Sequence, residues 1–323
     1  MPERRRPLNL TRASSRLEMA DMSRRLCIGL PVFNGGRYLE ETLDSLLGQT
    51  FSDFELLILD NASTDSTPEI CQAYAARDQR IRYVRNQENI GAARNWYRAL
   101  DLSSSEYFKW AADDDVYAPE FLRQCVAVLD RAPSVVVAYT KTKIIDEEGR
   151  ITQDFDVAVD TTSPKPHVRL YNTIGIDHFG IQMYGVMRAD VLRKTQPYIG
   201  YAGWDHNTLA ELCLLGQSYK VPEYLFFHRV YDTAWGAIVK FKKSQPDLLL
   251  YEPAIDWRFD LSFLNRSRNY VAAVARTPLS PSERLLCYAQ LVRLIPKGPT
   301  EKIKRRWNRL RNSRQNRIPQ EGS

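Results

Sequence analysis

LCIGLPVFNGGRYLEETLDSLLGQTFSDFELLILDNASTDSTPEI, residues 26–70, contains the same kind of apolar run twice. LCIGLPV (26–32) and FELLILD (54–60) are apolar almost throughout, and between them Leu39, Leu43, Leu46 and Leu47 recur at helical spacing. An unbroken apolar run marks a strand covered on both faces. A helix joining two such strands makes a βαβ unit and therefore a parallel sheet. Past the second run, Ser66 and Glu69 bracket Pro68, which predicts a capping box opening the next helix.

The pattern continues outward. IRYV (81–84) reads as a third strand and ENIGAARNWYRAL as a third helix; YFKWA (107–111) is a fourth strand. Phe121, Leu122, Cys125, Val126 and Leu129 then mark a helix, and SVVVAYT (134–140) a fifth strand. Each of these strands ends in polar residues, and in open α/β sheets that edge binds ligands. Beyond Gly149 the period weakens, and DFDVAVDTTSPKPHVRLYN reads as a long loop or an edge strand. QMYGVMRADVL suggests a strand running into a turn, GWDHNTLAELCLLG a helix from near Asp205 to Gly216, and YLFFHRV (224–230) a last strand. From Pro253 on the segments are helical, SERLLCYAQLVRLI among them.

The 323 residues exceed what one small core needs, so one large domain with an appendage is expected. With 44% hydrophobic and 26% charged residues the composition is that of a soluble globular protein. No window approaches the roughly 18 consecutive apolar residues of a membrane span. Residues 1–24 carry charge but no apolar core of a secretory signal and read as a disordered extension, with Met22 as an alternative start. Cys27, Cys71, Cys125, Cys213 and Cys287 form no CxxC pair and read as buried thiols of a reducing cytosol. The net charge of +6 is uneven: Leu291 to Ser323 holds ten Lys/Arg and two Asp/Glu. Such a tail is either a solvated terminus or a surface for an anionic partner.

Asp113, Asp114 and Asp115 follow the fourth strand directly. Adjacent carboxylates repel by roughly 1 kcal/mol in water and about 4 at an effective dielectric of 20, so a buried run needs a counter-charge. The run is either a solvated turn or a site for a hard divalent cation, Mg²⁺ or Mn²⁺, which takes one or two carboxylates together with substrate phosphates. Asp60 is a strand-end turn residue or a ligand contact; Asp205 is a helix cap or a general base. Neither a dinucleotide-binding G-x-G-x-x-G nor a P-loop follows the first strand, where the chain reads GLPVFNGGRYLE.

The order GLPVFNGGRYLEETLDSLLGQTFSDFELLILDNASTDSTPEI, NIGAARN, DDD resembles the N-terminal half of the family 2 glycosyltransferases. The resemblance covers roughly residues 25–235. It implies the GT-A fold: a Rossmann-like, mostly parallel α/β sheet flanked by helices, here with a helical C-terminal extension. The implied division is a glycosyltransferase domain over 25–240, with a nucleotide-binding half (25–115) and an acceptor half (116–240), then an extension over 241–323. It further implies a nucleotide-diphosphate sugar donor, uracil favoured, a divalent metal, and transfer with inversion. Carried over by position, Pro31, Val32 and Asn34 line the base and ribose pocket, Asp60 bonds the base, and Asp65 and Arg94 lie on the nucleotide side. Asp115 becomes the metal ligand, Asp114 a ribose or metal-shell contact, Asp113 a further donor-side carboxylate, and Asp205 the catalytic base. Where many relatives carry a histidine that approaches the metal or diphosphate, this chain has Tyr231, with His228 three residues earlier: either Tyr231 or His228, the latter as a metal ligand, takes that place, or the contact is lost and His228 is a structural strand residue.

Relatives that build long glycans carry membrane helices and a Q-x-x-R-W motif, and this chain shows neither, so one sugar per visit is expected. The acceptor implied is a glycan or lipid-linked hydroxyl of bacterial-type polysaccharide or glycolipid synthesis. The expected place is the cytoplasm, with the basic tail on the anionic inner face of the membrane. No RNA-binding motif or stacking platform accompanies the tail, so no nucleic-acid partner is expected. A sugar nucleotidyltransferase would need a basic glycine-rich signature where PVFNGG stands, and a non-catalytic nucleotide-sugar scaffold would tolerate loss of Asp115 or Asp205, both of which are present.

Overall fold

Every residue from Leu26 to Val32 is buried, as a strand covered on both faces requires. This strand, β1, lies inside the sheet of the computed structural model, which describes residues 24–156, 161–175, 180–198, 203–230 and 262–294. Chain order is β1 (Leu26–Val32), α1 (Leu39–Leu47), β2 (Phe54–Asp60), α2 (Thr67–Arg77), β3 (Ile81–Arg85), α3 (Ala92–Leu102), β4 (Tyr107–Trp110), β5 (Val116–Tyr117) and α4 (Phe121–Arg131). There follow β6 (Val135–Ile145), β7 (Ile151–Phe155), α5 (Pro166–Gly175), a 3₁₀ turn (Ile181–Tyr184), β8 (Val186–Arg188), α6 (Ala189–Leu192), α7 (Trp204–Leu215), β9 (Gln217–Arg229), α8 (Ser262–Arg276) and α9 (Pro281–Leu294).

Among the described residues the sheet runs β3-β2-β1-β4-β8-β6-β9-β5, with β7 paired to β6. β1 lies parallel to β2 from Leu26↔Phe54 to Val32↔Asp60 and parallel to β4 up to Gly29↔Trp110. β6 and β9 form the other long parallel ladder, while β8, β5 and β7 pair antiparallel. Pro31 is tolerated in an interior strand because the β4 ladder has already ended two residues earlier. The helices lie where their apolar periods predict: α4 buries Phe121, Leu122, Cys125, Val126 and Leu129 against the sheet. A second, smaller core joins α5, α7, α8 and α9 through Leu170, Ala210, Cys213, Leu214, Val274, Cys287 and Leu291. All five cysteines are free and buried.

Three expectations change. Ser66 stands at the N-cap of α2 but in helical geometry (φ −72°, ψ 0°), and its side chain makes no cap bond, so the Ser66–Glu69 capping box does not form. A capping residue needs extended backbone. Asp65 serves this turn instead, its Oδ1 accepting the Thr67 N–H at 3.0 Å. Second, of the two readings of the stretch after Gly149 the edge strand is found, as β7, and a helix, α5, that the sequence reading did not include comes after it. Third, the two-residue β5 interrupts the segment between the carboxylates and α4. Residues 1–23, Tyr231 and the basic tail 295–323 lie outside the described residues.

Candidate active site

The loop leaving β1 and the loop leaving β2 are laced together. Asn34, in left-handed conformation (φ 54°), donates its N–H to Ser63 Oγ at 2.9 Å and accepts the Thr64 N–H on Oδ1 at 2.8 Å. The Gly35 N–H reaches Thr67 Oγ1 at 3.0 Å, and the Gly36 N–H reaches Asp65 Oδ2 at 3.0 Å. Burial raises the Asp65 pKa, but the Thr67 and Gly36 donors outweigh it and hold the group below its usual range. A Cβ on Gly35 would meet Asp113 Oδ2 and Val32 Cγ2, so a side chain here would displace the carboxylate from over the turn. The carboxylate run therefore folds back over the turn after β1, and together they form a cleft of about 310 Å³ lined by Phe33, Asn34, Gly35, Arg37, Tyr38, Asp113 and Asp114.

Asp60, the last residue of β2, is fully buried. Its Oδ1 accepts the Ser63 N–H at 2.8 Å, while Oδ2 takes the Tyr83 hydroxyl at 2.7 Å and the Arg85 guanidinium. Beside it, Asn86 donates to both Asn61 Oδ1 and Asn95 Oδ1 at 2.9 Å, and Asn95 donates to Leu59 O at 2.8 Å. These buried amides fix the C-terminal ends of β2 and β3 against α3. Arg94 is exposed in the first turn of that helix, and Pro31 and Val32 are buried in β1.

Asp113, Asp114 and Asp115 lie between β4 and β5, against the end of β9. Burial holds Asp113 well above the usual carboxylate range, and the charges of Asp114, Asp115 and Asp65 push it further the same way. Asp115 is fully buried: its Oδ1 accepts the Arg229 N–H at 3.0 Å and bonds His228 Nδ1 at 2.9 Å, whereas Oδ2 is buried with no partner. For His228, burial lowers the pKa, and the Asp115 and Asp114 charges more than reverse this, leaving it raised. The imidazole thus faces the carboxylate, an arrangement that orients a ligating oxygen.

Arg229 is the residue that sequence reading passed over. Its side chain is 1% exposed and gives Nε to Asp114 O at 2.9 Å, Nη1 to Asp146 O at 3.0 Å, and Nη2 to Glu41 Oε2 at 2.6 Å, with its plane 4.4 Å from the Tyr38 ring centre. One guanidinium therefore ties the carboxylate run to α1 and to the turn between β6 and β7. The sequence signal was the adjacency of Arg229 to His228 at a strand end.

The buried Asp115 Oδ2 without a partner carries a desolvation cost that a cation or a water would relieve. No group of three His, Cys, Asp or Glu side chains among the described residues is arranged to hold a metal. Mg²⁺ and Mn²⁺ accept one or two protein carboxylates and fill their shell from phosphate and water. The residues present fit such an ion, with Asp115 and its neighbour Asp114 as the oxygen donors.

Asp205 stands apart from the run. It occupies the first turn of α7, after Gly203 in left-handed conformation (φ 80°), and a Cβ on Gly180 would stand 2.6 Å from its Oδ2. A file of aromatic rings spans the gap to the metal side: Trp204 to Trp96 at 5.6 Å, Trp96 to Tyr184 at 6.0 Å, and Tyr184 to His228 at 6.1 Å. The helix is braced from behind, where Asn207, fully buried, donates to Arg266 O at 3.1 Å and Arg276 pairs with Glu211 at 2.6 Å.

A parallel sheet whose C-terminal edge carries a carboxylate run over a glycine turn is a nucleotide-site architecture. Residues 27–195 match the model of "Glycosyl transferase family 2", and the chain belongs to that family. It is similar to glycosyltransferase GlyG of Streptococcus pneumoniae, 32% identical over 95 residues, covering 29% of this chain and 32% of that protein. Escherichia coli chondroitin synthase is 30% identical over 143 residues, 43% of this chain and 21% of that one. The chain thus matches a third or less of the length of these two relatives. Among solved structures, S. aureus TarS 1–349 in complex with UDP aligns with a TM-score of 0.61 at 18% identity, covering 85% of this chain and 73% of that one. A Pyrobaculum calidifontis mannosyltransferase in complex with GDP-Man and Mn²⁺ aligns with a TM-score of 0.50 at 16% identity, covering 85% and 87%. The fold is therefore that of the GT-A glycosyltransferases. Asp205, His228 and Arg229 lie beyond the family match.

Proposed function

We propose that this chain transfers one sugar from a nucleotide-diphosphate sugar, a UDP-sugar by preference, to an acceptor hydroxyl with inversion, in polysaccharide or glycolipid synthesis. The observation that carries the reading is the carboxylate run itself: Asp113 and Asp114 line the cleft beside the first loop, and next to them the buried Asp115 Oδ2 has no hydrogen-bond partner. The nucleotide-binding half is residues 25–115, with Pro31, Val32, Asn34, Asp60, Asp65 and Arg94 around base and ribose; the acceptor half is 116–240. Asp115 and Asp114 hold Mn²⁺ or Mg²⁺, which when bound neutralises the charge developing on the leaving diphosphate. His228 and Arg229 keep Asp115 oriented. Asp205 takes the proton of the acceptor hydroxyl as that oxygen attacks the anomeric carbon from the face opposite the diphosphate. One base and one displacement invert the centre. The TarS structures with UDP and UDP-GlcNAc and the mannosyltransferase structure with GDP-Man support a nucleotide-sugar donor.

Donor hydrolysis tests this without a known acceptor. UDP-, GDP- and dTDP-sugars are incubated with Mn²⁺ or Mg²⁺, and nucleotide release is compared between wild type, Asp115→Ala and Asp205→Asn. Expected is metal-dependent turnover of one donor, abolished in Asp115→Ala. Once an acceptor is found, Asp205→Asn lowers transfer by about 10²-fold or more with nucleotide affinity unchanged. Failure of every donor with either metal refutes the reading.

A further inference from the structure

The last two described helices carry apolar side chains outward as well as inward. Helix α9 buries Cys287 and Leu291 in the second core. Its opposite face shows Leu285 (70% exposed), Leu286 (42%) and Val292 (74%), with Ala289 exposed between them. Positions 285, 286, 289 and 292 follow helical spacing and share one face. Helix α8 adds Leu264 and Val271, so these two helices supply five of the eight exposed large apolar side chains among the described residues. A helix facing only water carries polar residues there.

The charge around this face has one sign. Arg268 and Arg293 are exposed on the same two helices, α8 contains no acidic residue, and the lone acid of α9, Glu283, is bonded to His167 at 2.7 Å. The chain running on from Leu294 carries nine Lys/Arg and two Glu over residues 295–323. A second copy seated face to face would set arginine against arginine. A surface of anionic headgroups over hydrocarbon satisfies both the leucines and the cations.

We propose that the outer face of α8 and α9 docks onto an anionic lipid bilayer, with Leu285, Leu286 and Val292 entering the interface. The test is flotation of the full chain with phosphatidylcholine vesicles, with and without phosphatidylglycerol, in the absence of nucleotide sugar. Wild type is expected to float with the anionic vesicles only, and the Leu285→Ser/Val292→Ser variant to lose at least about tenfold of that binding. Should the double variant fail to fold, Val292→Ser alone, at the most exposed position, is read the same way with a several-fold loss. Wild type that binds neither vesicle, or a folded variant that floats as well as wild type, overturns the proposal. So does wild type that is dimeric by light scattering and becomes monomeric in the variant, which gives the face to a second copy. No donor enters the assay, so its failure leaves the glycosyltransferase reading intact, and the reverse holds equally.

Discussion

Lys109 sits in the middle of β4, fully buried, and replacing it with Met should stabilise the protein. Burial lowers its pKa from 10.5 to about 7, although Cys125 and Asp115 pull upward. The ammonium donates to Trp110 O at 2.8 Å and lies 3.9 Å from the Tyr117 ring centre. A fall from 10.5 to about 7 corresponds to about 5 kcal/mol, borne by the folded state in full below pH 7. The unfolded chain binds more protons between pH 7 and 10.5, so wild-type stability from this group rises across that window and is lost as pH falls through it. Methionine keeps the apolar stem and forfeits about 1 kcal/mol of hydrogen bond and up to about 2 of cation–π attraction. The net gain for Lys109→Met is about 2 kcal/mol below pH 7, a rise in Tm of about 3 °C; because the wild type regains about 4 kcal/mol by pH 10, the difference shrinks as pH rises and reverses sign before pH 10. Thermal melts of both proteins from pH 6 to 10 measure it. A variant less stable than wild type at pH 6, or a difference independent of pH, refutes the reasoning.

Two further substitutions probe the cleft. Gly35→Ala forces Asp113 out of its place over the turn, and nucleotide affinity by titration calorimetry should fall about tenfold or more with the fold retained; unchanged affinity would show that this turn does not shape the donor site. Arg229→Ala leaves Asp114 O, Asp146 O and Glu41 without their donor, and urea denaturation should show a loss of about 3 kcal/mol. A loss below about 1 kcal/mol would mean that water replaces the clamp.

The parallel half of the sheet was legible because its strands are buried on both faces: LCIGLPV and FELLILD coincide with β1 and β2 to the residue. The second half was harder, since β6 and β9 extend through polar stretches such as TKTK and QSYKVPE, where exposed positions alternate with buried ones. A single pair of residues, Val116 and Tyr117, makes β5, and nothing local marks so short a strand; its partner Phe226–Phe227 lies over a hundred positions away. The same distance hid Arg229, whose importance rests on groups from Glu41 to Glu147 that only the fold assembles. The carboxylates were legible as a run. That Asp115 keeps one oxygen bare while Asp113 closes over Gly35 depends on packing, and no spacing rule reports it.

The bracing of α7 sets a rule for recombination. The family match ends at Thr195, before the helix that carries Asp205, and that helix is held by Arg266 through Asn207 and by Arg276 through Glu211. A chimera joined just after residue 195 must therefore import residues 203–294 from one parent as a block. Mixing α7 of one parent with α8 and α9 of another would separate Glu211 from its arginine and reopen a core built from four helices.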